Sequence, residues 1–295
     1  MPSFAELRKK IKGITSTRQI TRAMKMVAGA RFARAGRQMN DARYYQEEAE
    51  KLLSGFVSLA GAPKGKFASL CTVPGDSEAK SPKSKTGLMV VAADKGLCGD
   101  FNNGILREAD QYLTRNGGRV AVLFAIGRKA VEHYKNAAVA RKVDYQQFFN
   151  RFDFGTADAI GQEALRIYFE DGLCEYTVVH SHLKSRIKQQ FTVTRLLPVE
   201  PSAPKDAQFR CTMIEPAEEE EVLQALVPLY LKAKLYGILR DSFAAELAAR
   251  LSAMDNATRN AGTLIDTITL EMNKVRQAMI TRELAEIIAT NEVVK

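Results

Sequence analysis

Four places in the sequence hold residue types that could do chemistry. The run GAPKGKF, residues 61–67, could cradle a phosphate on backbone amides with Lys66 as counter-charge. Its spacing is GxxxGK rather than GxxxxGK[ST], no hydroxyl follows Lys66, and no strand precedes it, so it is not read as a nucleotide loop. The run DKGLCGDFN, residues 94–102, falls between a strand-like and a helix-like segment, where glycine-rich turns can hold phosphate at a helix start. It lacks GxGxxG, and its glycines read as serving a tight strand-to-helix turn. Cys98 within it has no neighbouring constellation to activate it and reads as a packed thiol. His180 and His182 stand two apart on a probable strand, so they face the same way and could in principle hold a metal. With no further ligands nearby, they read as an incidental polar edge.

The remaining reactive residues add nothing to these. Cys71, Cys98, Cys174 and Cys211 are far apart and form no CxxC pair, which argues against a structural disulfide or a zinc cluster and fits a reducing compartment. The expectation is a chain with no catalytic residue, no metal and no cofactor.

Charge placement is more informative. The net charge is +9 from 43 basic and 34 acidic residues. Residues 1–45 hold eleven Lys or Arg against Glu6 and Asp41, while the rest is balanced at 32 of each sign. All of the excess therefore sits at the front of the chain, in RQITRAMKMVAGARFARAG and its flanks. A field concentrated in this way implies an acidic partner: nucleic acid, anionic lipid or acidic protein loops. Met24 and Met26, two apart on a helix, cannot share a face, so one can pack inward while the other meets a partner.

The elements that must carry these residues fall into segments. Residues 4–59 lack proline, and Phe4, Leu7, Ile11 and Ile14 step by three, four and three, one face of a helix. Ser3 with Glu6 makes a capping-box start. Residues 61–86, rich in Gly, Pro, Ser and Lys, read as a linker with nothing to bury. Within residues 87–204, GLMVVAAD, RVAVLFAIG, YTVVHS and QQFTVTRLLP are strand candidates, and helices are expected around 103–114, 128–134 and 156–169. This alternation predicts a mainly parallel sheet. From Glu215 the chain reads as helical again, with acids at the start, and Pro228 opening a second helix.

Beyond Pro228 the positions Leu247, Leu251, Met254, Ala257, Ala261, Ile265, Ile268, Met272, Val275 and Met279 keep a spacing close to the 3.5 of a coiled-coil seam. A stripe of that length needs a partner, and the first helix can meet it antiparallel. The expected fold is α/β: a long antiparallel two-helix coiled coil from the N- and C-termini with an inserted Rossmann-like α/β domain. Its segments are 1–60, 61–86, 87–204 and 205–295. No apolar run approaches the roughly 18 residues that span a bilayer, and MPSFAELRKK has no signal-peptide core.

Two functions follow from these features alone. The basic helix could bind nucleic acid with a steep salt dependence, although no reader fold accompanies it and aromatic residues for stacking are nearly absent. The middle domain could be an enzyme with its site at the strand ends around DKGLCGDFN, but it lacks a catalytic constellation.

Three motifs together, RQITRAMKMVAGARFARA, DKGLCGDFN and AMDNATRNAGTLIDTITLEMNKVRQAMITRELAEI, resemble the gamma subunit of bacterial F-type ATP synthase over nearly the whole chain. One departure is that Thr290 and Asn291 stand where the family usually has Gly-Ala. The resemblance implies a non-catalytic central rotor stalk coupling proton-driven rotation of a membrane c-ring to ATP synthesis. Its implied partners are three alpha and three beta subunits, epsilon, delta and the c-ring, with no nucleic acid and no membrane insertion. The implied location is peripheral, on the cytoplasmic side of the cell membrane. It places Met24 and Lys25 where the shaft meets the catalytic subunits, and Arg250, Gln277, Thr281 and Glu283 at their catch loops. The basic helix would face an acidic segment of beta, with Arg18, Arg22 and Lys25 unpaired within the chain. Small residues along 255–262 would leave the shaft surface smooth enough to turn.

Overall fold

The computed structural model describes residues 3–60, 70, 84–116, 118–146, 153–185, 189–199 and 219–293. The chain divides into two compact units, Met1–Ala30 with Arg250–Lys295, and Arg31–Ala249. Helix α1 (Phe4–Ala60) and the C-terminal helix α5 (Glu219–Val293) each contribute one stretch to each unit. The runs GAPKGKF and most of the 61–86 linker, with Cys71, Cys211 and Pro216, lie outside the described residues.

In the first unit the two helices form an antiparallel seam. The predicted capping box is present: Ser3 N donates to Glu6 Oε2 at 2.9 Å and Glu6 N to Ser3 Oγ at 3.3 Å. A run of neighbours sets the register. As α1 rises through Arg18, Thr21, Lys25 and Gly29, their neighbours on α5 fall through Gly262, Thr258, Asp255 and Leu251. This register brings Ile14 level with Ile265, Ile11 with Ile268, and Leu7 with Met272. Leu7, Ala28, Met254, Ala261 and Ile268 are buried. The predicted stripe holds as far as Val275, whereas Met279 is exposed. The reason lies in the register: at equal rise on both helices, the start of α1 falls opposite about Arg276, and Met279 is already past it.

The smooth-surface reading of 255–262 is corrected. Ala257 and Ala261 turn inward, and Gly262 passes under the Arg18 guanidinium, which a Cβ there would meet at 3.6 Å. Small residues here let the helices approach, and the outer face carries Asn256, Arg259 and Asn260.

The second unit is built on a five-stranded sheet. Its strands are β1 (Thr86–Val91), β2 (Val120–Ile126), β3 (Arg141–Tyr145), β4 (Glu175–Leu183) and β5 (Gln189–Leu197), in the order β3-β2-β1-β4-β5. All neighbours are parallel except β4 and β5. The predicted helices appear as α2 (Phe101–Asn116), α3 (Arg128–His133) and α4 (Phe154–Glu170). Strand β1 is buried along its length because helices cover both faces. Met89 and Val91 pack on one side with Phe124, Val178, Ile160 and Ala164, while Leu88 and Val90 pack on the other with Leu123, Phe101 and Ile105.

Four expectations are revised in this unit. Strand β3, the sequence RKVDY, was not among the candidates; it is a half-buried edge strand with few apolar residues. Leu70, inside the segment read as burying nothing, is fully buried, and its carbonyl accepts from Val199 N at 2.7 Å. Pro228 does not open a helix, since α5 runs through it. It lies between Leu223, Val227, Tyr230 and Leu231, all buried in the core, and this packing offsets the backbone hydrogen bond that proline cannot donate. One stretch of α5 is also apolar enough by composition to cross a membrane, contrary to the sequence reading. Its Leu223, Val227, Leu231, Leu235, Ile238 and Leu239 are buried in the sheet unit, as in a core helix.

Candidate interaction surface on the helical shaft

The seam sorts the predicted contact residues into two groups. Met24 is half-buried, while Met26, two positions on, is 64% exposed, as the spacing predicts. Lys25 is not unpaired. Its Nζ lies 2.5 Å from Asp255 Oδ1, and Arg259 also pairs with Asp255. Those partners hold the Asp255 carboxyl below its ordinary value, the Lys25 hydrogen bond most of all. Arg18 and Arg22 are exposed and make no ion pair among the described residues. Beside the ion pair, Thr258 Oγ1 donates to Thr21 Oγ1 at 2.9 Å. Asp255 was missed by sequence reasoning, yet a signal existed: it is the only acid between Glu246 and Asp266, on the helix meant to pair with a basic one.

Arg250 is half-buried on α5. Gln277 and Thr281 lie one turn apart on the exposed end of α5, where Thr281 Oγ1 donates to the Gln277 carbonyl at 2.9 Å. Glu283 is two positions beyond Thr281, about 200° around the helix, so it occupies another face. The predicted contacts therefore spread over about half of the circumference at this end of α5. Ile280, Leu284, Ile287 and Ile288 are exposed along the same stretch. The side chains of Thr290 and Asn291 lie outside the described ones.

In the sheet unit, DKGLCGDFN closes on itself. Asn102 is its clamp: Ala93 N donates to Asn102 Oδ1 at 2.9 Å, and Asn102 Nδ2 reaches Lys95 O at 3.3 Å and Cys98 Sγ at 3.2 Å. Leu97 and Gly99 take positive φ at the turn, and Cys98 is buried. Asp94 accepts from Arg128 N at 3.0 Å at the start of α3. A doubly wound sheet of this order would bind a ligand beside the C-terminal ends of β1 and β4. Here α5 occupies the end of β4, where Ser181 N donates to Ser242 Oγ at 3.2 Å and Leu183 N to Asp241 Oδ1 at 3.1 Å.

The two histidines line one cavity, as their spacing predicts, but take different partners. His182 Nδ1 bonds to Asp241, while His180 is buried with Nε2 2.9 Å from Thr194 Oγ1. Burial, the dominant cause, pushes His180 down to about 4. Neither imidazole shares a metal-type cluster among the described residues.

A long antiparallel helix pair made from both chain ends, together with a Rossmann-like unit lying between those ends in sequence, defines a helical-stalk protein. A family model described as ATP synthase matches residues 3–294. The ATP synthase gamma chain of Moorella thermoacetica is 32% identical over 295 residues, covering 100% of both chains. That of Pelotomaculum thermopropionicum is 34% identical over 98% of each. A chain in the cryo-EM structure of Euglena gracilis mitochondrial ATP synthase shares the fold at a TM-score of 0.69 and 16% identity, over 99% of this chain and 94% of that one. The chain belongs to the ATP synthase gamma-chain family.

Proposed function

We propose that this chain is the central rotor stalk of an F-type ATP synthase, coupling proton-driven rotation of a membrane c-ring to ATP synthesis at alpha and beta catalytic sites. As a gamma chain it is a subunit of the ATP synthase complex, which sits on the membrane. In this reading it contributes no catalytic residue, lies peripherally on the cytoplasmic side, and meets alpha, beta, epsilon, delta and the c-ring.

The observation that carries this reading is the free end of α5. Among the described residues the helix has no partner on α1 past about Arg276, and it continues for about 25 Å at about 1.5 Å per residue. Ile280, Leu284, Ile287 and Ile288, spaced i, i+4, i+7 and i+8, form one exposed apolar face about 100° wide, with Gln277, Thr281 and Glu283 on or beside it. An exposed apolar face of that width, with no cover from α1, suits an apolar surface on the surrounding subunits. Met24, Lys25 and Arg250 would meet the ring lower down. There Lys25 acts from within its pair with Asp255, and Arg18 and Arg22 supply the outward charge. The seam gives the stiffness a shaft needs, because paired helices bend less than one alone.

The test is reconstitution. The purified chain should hydrolyse no ATP by itself and should restore rotating, coupled ATPase to an alpha–beta assembly. Failure of the chain to enter that assembly would overturn the reading.

A further inference from the structure

We propose that Asp241 is the positioning residue of a clasp that makes both long helices and the sheet of the Arg31–Ala249 unit turn as one body. The proposal rests on the stalk reading above. It begins with a mismatch in strand length. Strand β1 ends its pairing with β4 at Val90 and Val179, but β4 continues to Leu183. The amides of Ser181 and Leu183 would be left without a strand partner, at a cost of roughly 1–3 kcal/mol each if buried. Helix α5 supplies both partners, Ser242 Oγ and Asp241 Oδ1, from consecutive residues.

Helix α1 joins at the same point. Arg43 Nη2 donates to Asp241 Oδ1 at 3.0 Å and to the Leu183 carbonyl at 3.3 Å. His182 Nδ1 closes on Asp241 Oδ2, so that nitrogen must carry the proton. Both oxygens of one buried carboxylate are thus shared among α1, β4 and α5. One turn before Asp241, a Cβ on Gly237 would lie 2.2 Å from Gln46 Oε1, so glycine lets α1 and α5 come close here.

Apolar packing resists separation, but it is non-directional and tolerates sliding of a helix over a sheet. Torque on a shaft loads this junction in shear. Charge-assisted hydrogen bonds of fixed direction, anchored to backbone on one side, resist that load. None of the alanines and leucines around them can.

The experiment measures torsional stiffness. The full chain is assembled with alpha and beta subunits, the shaft is held by the stalled ring, and a bead on the sheet unit reports angular variance. Asp241→Asn should raise that variance by about twofold or more, since the hydrogen bonds that the carboxylate accepts from Arg43 and His182 weaken together. Asp241→Glu should recover part of the stiffness, and ATP hydrolysis by the ring should change little. An unchanged variance in Asp241→Asn overturns the clasp. If that variant does not assemble, Arg43→Gln, which removes one arm from a half-exposed position, decides by the same criterion. Failure of the wild-type chain to assemble would instead overturn the stalk reading.

Discussion

Lys25 Nζ lies 2.5 Å from Asp255 Oδ1, so the basic helix is neutralised at one level by its own seam partner. The Asp255 carboxyl is held below its ordinary value, by the Lys25 hydrogen bond first and Arg259 after it. A lowered folded value means that the pair stabilises above the ordinary carboxylate range and ceases to do so as pH falls through the lowered one. The effect is small and salt-screened, because both side chains are accessible to water. Melting curves from pH 7 to pH 3 should fall more steeply for the wild type than for Asp255→Asn. Parallel curves would show that the pair contributes nothing.

His180 titrates with the opposite chemistry. Burial lowers it from 6.5 to about 4, with Asp241 and the Ser181 backbone opposing and His182 adding to the fall. Between these values the unfolded chain takes up a proton that the folded chain refuses, so stability drops as pH falls from about 6.5 to about 4 and levels off below. The loss amounts to about 3 kcal/mol in full. Denaturant midpoints at pH 7 and pH 5 should converge in His180→Gln relative to the wild type.

How far the sequence carried these results depends on whether a feature is periodic. The helices, four of the five strands and the seam were legible because apolar spacing reports a buried face directly. Strand β3 was not, since an edge strand of RKVDY buries too little to leave a pattern. Pro228 misled because local propensity was overridden by the core around Val227 and Leu231. The Lys25–Asp255 pair and the Asp241 junction join residues some 200 positions apart, and spacing along one chain says nothing of such meetings. The free end of α5 followed only from the register, which fixes where α1 runs out.

Gly127 has φ of 91°, and a Cβ there would sit 1.9 Å from the Ala92 carbonyl oxygen. Its amide donates to Tyr145 O at 2.7 Å, tying β2 to β3 just before α3. Gly127→Ala combines left-handed strain of roughly 1–3 kcal/mol with a backbone clash that no rotamer relieves. Denaturation should show a loss of at least that size, with β3 amides exchanging fastest. A loss under about 0.5 kcal/mol would mean that the turn can be rebuilt.

Asn102→Ala removes the clamp of the 94–102 turn and leaves the buried Ala93 amide without its acceptor. The expected cost is about 1–3 kcal/mol. Hydrogen exchange should rise at Ala93 before it rises elsewhere in β1. Asn102→Asp keeps an acceptor for Ala93 but loses the donor to Lys95 O, so it should protect Ala93 while still loosening the turn.

Leu284 is 55% exposed and Ile287 62% exposed, both beyond the end of the seam. Neither contributes to the core of either unit, so Leu284→Asp and Ile287→Asp should leave melting of the isolated chain within about 0.5 kcal/mol of wild type. In the assembled complex the same carboxylates would face the apolar surface that covers this side of α5 and would have to be desolvated without a partner. Complex yield and resistance to dissociation should therefore fall for both variants while the free chain is unaffected. Thr263→Asp, on the outer side of the paired part of α5, is the control for added charge alone. If it weakens assembly as much as Leu284→Asp, net charge and not the exposed apolar face governs assembly, and the argument from that face is lost.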